Sequence, residues 1–129
     1  MFLKALLVII PFSLLTAGLA AWRAKRFVTA DVAAERGMQN VRKTLFFNWL
    51  GISVVFGVVA YFVHAWMATR YGAKTDALFL ELAIALGLIF STMAFALKRA
   101  LRIRPLVEYL LIHILWVIGF GWLLPLVIR

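Results

Sequence analysis

LFFNWLGISVVFGVVAYFVHAWMA, residues Leu45 to Ala68, decides how the chain is read. These twenty-four residues contain no Asp, Glu, Lys or Arg, and their polar side chains are few: Asn48, Ser53, Tyr61 and His64, with the indoles of Trp49 and Trp66. A helix of that length rises about 36 Å at 1.5 Å per residue, enough to cross ~30 Å of hydrocarbon. A surface helix of a soluble domain would need a charged face, and this stretch has none.

Three more stretches read the same way on either side of it. Ala5 to Trp22 is interrupted only by Pro11, Ser13 and Thr16, and Ala77 to Leu97 and Leu106 to Ile128 complete the set. Four spans leave little of the 129 residues over, which excludes a separate soluble catalytic domain. The expected fold is therefore an all-α membrane protein, a single domain with four transmembrane helices in an antiparallel bundle. Lys98 to Arg104 is a tight reversal, with Pro105 suited to the first turn of the following helix. Tyr71 to Asp76 closes spans two and three into a hairpin. Gly18-Leu19-Ala20 and Lys4 offer a rival reading of the first span as a signal peptide. The length of the apolar run and the basic cluster Arg23, Lys25, Arg26 behind it favour a span.

Composition agrees: 66% of residues are hydrophobic and only 15% charged, against roughly 45–50% apolar in soluble domains. Fourteen Lys and Arg against five Asp and Glu give a net charge of +9. In a soluble protein that excess would suggest nucleic acid. Here the basic residues stand at span ends, so the reading is contact with anionic lipid headgroups, by Arg23, Lys25, Arg26, Arg42, Lys43, Lys98, Arg99, Arg102 and Arg104. Ten Lys and Arg lie in residues 23–43 and 98–104, against Lys4, Arg70, Lys74 and Arg129 on the other side. The positive-inside rule then puts both termini outside the inner membrane and the first and third loops in the cytoplasm. The basic loop, residues 23–44, reads either as a solvated connector or as an interfacial amphipathic segment running through Ala34, Met38 and Val41. With no cysteine, there is no disulfide, thiolate metal site or cysteine nucleophile.

Ionisable groups inside spans are expensive in hydrocarbon and so become functional candidates. His64, Glu81, Glu108 and His113 qualify, with Asn48 as a further polar residue. His64 and Glu81 stand at nearly the same depth across the expected hairpin, so a hydrogen bond between them would make either a structural clasp or an ion or proton site. Glu108 lies one turn after Arg104 and pairs with it in this reading, while His113 is expected to meet Ser91 or Thr92. The two histidines differ in depth by roughly 12 Å at 1.5 Å per residue, too far for one haem, and too few ligands share a level for a metal. No cofactor is expected. No P-loop, GxGxxG, HExxH or nucleophile elbow is present. Small residues recur at packing intervals instead: Ser13, Ala17 and Ala20; Ser53, Gly57 and Ala60; Ala83, Gly87 and Ser91.

Thr44-Leu45-Phe46-Phe47-Asn48-Trp49-Leu50-Gly51, with Gly57 after it, resembles the second helix of the dual-topology fluoride channels, and Phe90-Ser91-Thr92 resembles part of their third-helix motif. The sequence departs from that family at Leu88 and Ile89, where the family has a threonine pair, and it lacks the arginine signature of the first helix. In size and in its basic first loop the chain is also similar to the membrane-associated eicosanoid and glutathione enzymes, with Glu35-Arg36 and Asn40 near the place of their loop motif. Lys43 stands where that family has an acidic residue, and the proline is missing. The first resemblance implies a channel and the second a transferase; neither is adopted. The sequence favours a homo-oligomer or a small subunit of a larger membrane complex, mainly structural. The alternatives are a small channel or transporter using His64 and Glu81, and a transferase-like enzyme holding substrate through Arg36, Arg42 and Arg104.

Overall fold

A computed structural model describes residues 2–24, 34, 40–96 and 106–128. Every element among them is helical. Helix α1 is Phe2–Trp22, α2 is Val41–Tyr71, a 3-10 turn covers Gly72–Lys74, and α3 is Thr75–Ala96. Helix α4, Leu106–Trp116, continues as a π-helix over Val117–Leu123 and closes with one α-helical turn, Leu124–Val127. Three helical stretches are long and apolar enough to cross a membrane: Phe2–Trp22, Val41–Met93 and Val107–Val127. The second of these holds 53 residues and includes the turn at Gly72.

Local chemistry explains the boundaries. Helix α2 starts four residues before the expected Leu45 because Asn40, in extended conformation, accepts the Lys43 N–H at 3.1 Å and caps the first turn. Its far end stops at Gly72, whose φ of 57° lies in the left-handed region that glycine tolerates. The Gly72 N–H bonds back to the Ala68 carbonyl. The Thr75 hydroxyl then donates to the Gly72 carbonyl at 2.7 Å and reaches the Met67 carbonyl at 3.3 Å. Helix α3 thus begins alongside Met67, a turn before α2 ends.

In the last helix, Pro125 has no N–H, and its ring would collide with the carbonyl four residues back in a regular α-helix. The wide turn ahead of it removes the conflict, and the Leu124 N–H bonds to Gly119 five residues back. Gly119 and Gly121 also admit neighbours that a side chain would exclude. A Cβ at Gly119 would stand 2.5 Å from the Phe12 ring, and one at Gly121 2.7 Å from the Ala83 Cβ.

The core sits where α1, α2 and the end of the last helix meet. Ala5, Val8 and Ile9 pack on Phe120, Leu124 and Ile128, with Phe12, Val58 and Trp116 at the edge. Of the small-residue rows expected on the first two spans, Ser13, Ala17 and Ala20 on α1 and Ser53 and Gly57 on α2 are buried, and Ala60 is half-buried. Helix α3 is different. Among its described side chains only Thr75 and Phe79 are buried. Large apolar residues cover the outer faces of all the helices, as in a protein surrounded by lipid.

Candidate functional site

Polar groups collect at the two ends of the helices, and an apolar cleft lies between them. At the hairpin end His64 is buried, and its Nε2 lies 2.8 Å from Asp76 Oδ1. The edge of its ring meets Phe79, centroid to centroid 5.2 Å. This departs from the expected pairing with Glu81. Because α3 begins level with Met67, the residues opposite His64 are those of the first turn and a half of α3, and Glu81 lies deeper. Glu81 is exposed and, among the described residues, makes no hydrogen bond or ion pair. Asp76 was assigned to the loop from sequence alone. The available signal was an acidic residue just after a turn glycine, where a helix N-terminus favours it.

At the opposite end Arg23 Nε donates to Glu108 Oε1 at 3.0 Å. Glu108 is 1% exposed and the Arg23 side chain 43%. The geometry suits both helices, since the cation follows the C-terminus of α1 and the carboxylate lies in the first turn of α4. Arg23 also lies over the Trp22 ring at 5.4 Å. The expected partner Arg104 lies outside the described residues, as do Lys25, Arg26, Lys98, Arg99 and Arg102, and Arg36 of the basic loop. Of the expected headgroup contacts, Arg42 and Lys43 are exposed at the start of α2, whereas Arg23 spends its charge on Glu108. Opposite charges at the ends of the first and last spans were the signal for this pair.

Between the ends, α2, α3 and the π-helical segment enclose a cleft of about 320 Å³. Aromatic rings make much of its wall: Phe56, Phe79, Phe90, His113, Trp116 and Phe120. Trp116 is the hub. It stacks on Phe56 at 4.8 Å, meets His113 edge-on at 6.0 Å, and donates its indole N–H to the buried Ser53 hydroxyl at 3.2 Å. His113 stacks nearly parallel on Phe90, at 12° and 6.1 Å, rather than meeting Ser91 or Thr92. Its Nδ1 is buried, and the imidazole lies near the Tyr109 carbonyl one turn back. Asn48 lies outside this cleft, exposed on α2 beside Phe47, Gly51 and Val55.

Phe79, Leu82, Ala83, Leu86, Gly87 and Phe90 are the α3 residues facing the cleft. Glu81, Ile84, Leu88 and Thr92 recur at helical intervals on the side away from it, and all four are exposed. Among the described residues no three His, Asp or Glu side chains come together to hold a metal ion. No protein-family model, curated protein or solved structure matches the chain.

Proposed function

We propose that the protein is a four-span subunit of a membrane assembly, the Val41–Met93 stretch crossing twice, and that the outward face of α3 is where a second copy or another membrane subunit seats. One observation carries this: Glu81 stands six residues into α3, exposed on its outward side and without a partner among the described residues. A carboxylate turned to hydrocarbon costs about 3 kcal/mol at the centre of a membrane helix and less toward its end. A neighbour that hydrogen-bonds it removes that cost, and Leu88, Ile84 and Thr92 extend the same face over two further turns. Both termini lie outside the inner membrane in this reading, following the distribution of Lys and Arg.

Native mass spectrometry after extraction in a mild detergent tests it. The reading expects a defined homo-oligomer, or a stoichiometric complex with a foreign subunit, and Glu81→Leu should release monomers. A monomeric wild-type chain contradicts it. A second reading, passage of an ion or lipid-linked solute, draws on the part-buried His64–Asp76 pair as a titratable group near the hairpin end of the helices. It requires His64→Ala and Asp76→Asn to abolish flux while the fold survives.

A further inference from the structure

We propose that the cleft between α2, α3 and the π-helical segment binds one neutral, membrane-dissolved ring compound of the quinone class, its ring against the aromatic wall and its apolar tail leaving toward the lipid. Gly87 stands midway along α3 and Phe56 midway along α2, so the cleft opens at the middle of the helices. Phe56, Val59, Leu82, Leu86 and Phe90 are exposed at its rim, which makes the mouth lateral. A ligand entering there comes from the acyl-chain region rather than from water.

The wall then selects the ligand. At about 320 Å³ the cleft falls within the range of small-molecule sites. Among the described residues no Lys or Arg lines it, so a phosphate-bearing headgroup would find no countercharge there, and a phospholipid is disfavoured. Six ring-bearing side chains favour a flat unsaturated ligand, because offset and edge-on ring contacts add to the burial of apolar area. One polar contact is on offer. Trp116 has committed its N–H to Ser53, which leaves the half-buried imidazole of His113 as the other polar ring of the wall. An imidazole donates to a carbonyl oxygen or accepts from a hydroxyl, depending on its tautomer, and a quinone or its quinol supplies one or the other. The site has the π-helix as one wall, a distortion that recurs at functional sites. Val117, Phe120 and Gly121 of that segment all line the cleft.

Occupancy is tested with the full chain in phosphatidylcholine nanodiscs, titrated with a decyl-tailed benzoquinone and read by quenching of tryptophan fluorescence, since Trp116 forms the wall. The expected result is quenching that saturates at one quinone per chain. Gly87→Leu fills the cleft, and a Cβ there meets only Val117 Cγ2 at 3.4 Å, so the backbone accommodates it. Val59→Phe narrows the mouth from the exposed rim and serves as a second variant. Both should reduce the signal to the linear partition line of the lipid, with helical circular dichroism retained. His113→Leu should weaken binding about three- to tenfold, the loss of one hydrogen bond. Linear quenching in the wild type overturns the proposal, as does saturation that survives both filling variants. Unchanged affinity in His113→Leu, with binding lost in Gly87→Leu, would mean that the cleft takes any apolar chain and would overturn the assignment to quinones.

Discussion

Gly57→Ala should destabilise the protein although alanine is the better helix former. The added Cβ would stand 2.8 Å from Ile9 Cγ2, 2.9 Å from Cγ1 and 3.3 Å from Cβ. An ordinary carbon–carbon contact is about 3.5 Å, so α1 and α2 must separate by several tenths of an ångström. Ile9 cannot swing away, because its β-branch fixes χ1 and it is fully buried. Overpacking of this kind costs about 1–3 kcal/mol, and the helix-propensity gain offsets about 1 kcal/mol. Gly51→Ala is the internal reference: nothing lies within 4 Å of its Cβ, so only the gain applies. The two variants should differ by about 1–3 kcal/mol in thermal unfolding followed by circular dichroism in one detergent. Ile9→Ala removes both colliding γ-carbons. Added to Gly57→Ala it should therefore cost less than it does alone, by about the same 1–3 kcal/mol. Equal stability of Gly51→Ala and Gly57→Ala, or a coupling of zero, would refute the packing of α1 on α2 described above.

Two further predictions concern the polar contacts. Arg23→Met removes the cation that the buried Glu108 carboxylate meets at the end of α1. Loss of one partner from a buried pair costs about 3–5 kcal/mol, but water reaches the 43%-exposed Arg23 side chain, so about 1–3 kcal/mol is expected; Glu108→Gln in the same chain should recover part of it in an unfolding titration, and an unchanged midpoint in Arg23→Met would count against the pair. Trp116→Phe keeps the stack on Phe56 but abandons the Ser53 hydroxyl, for a loss of about 1 kcal/mol. In a double-mutant cycle with Ser53→Ala the coupling should be of that size, and additive losses would show that the hydrogen bond contributes nothing.

The sequence was most informative where one residue's chemistry acts locally. The long apolar helices, the turn near Gly72 and the burial of Ser53, Gly57 and His64 follow from apolar runs and 3.6-residue spacing. Asn40 could have been read as a cap, which would have started α2 earlier. Pairings across helices were harder, since depth was counted from assumed loop ends. The Thr75–Met67 contact shifts α3 by about a turn, enough to replace Glu81 by Asp76 beside His64. Glu108 also meets Arg23, 85 positions away, because the end of α1 and the start of α4 lie together in space, an approach that leaves no short-range signature. The π-helix had a visible signal in Gly119, Gly121 and Pro125, but widening a helix is a response to tertiary neighbours such as Phe12 and Ala83 as well as to proline.

Photo-crosslinking in native membranes shows directly whether a subunit seats on the outward face of α3. The chain has no cysteine, so Leu88→Cys places a benzophenone-maleimide label at one defined position. Leu88 is 64% exposed, and Leu7→Cys on α1, at 70%, gives a control site of equal accessibility. Irradiation should yield a discrete protein adduct from residue 88, with the mass of a second copy or of one foreign subunit, and mainly lipid adducts from residue 7. Lipid adducts alone from residue 88 would contradict the account.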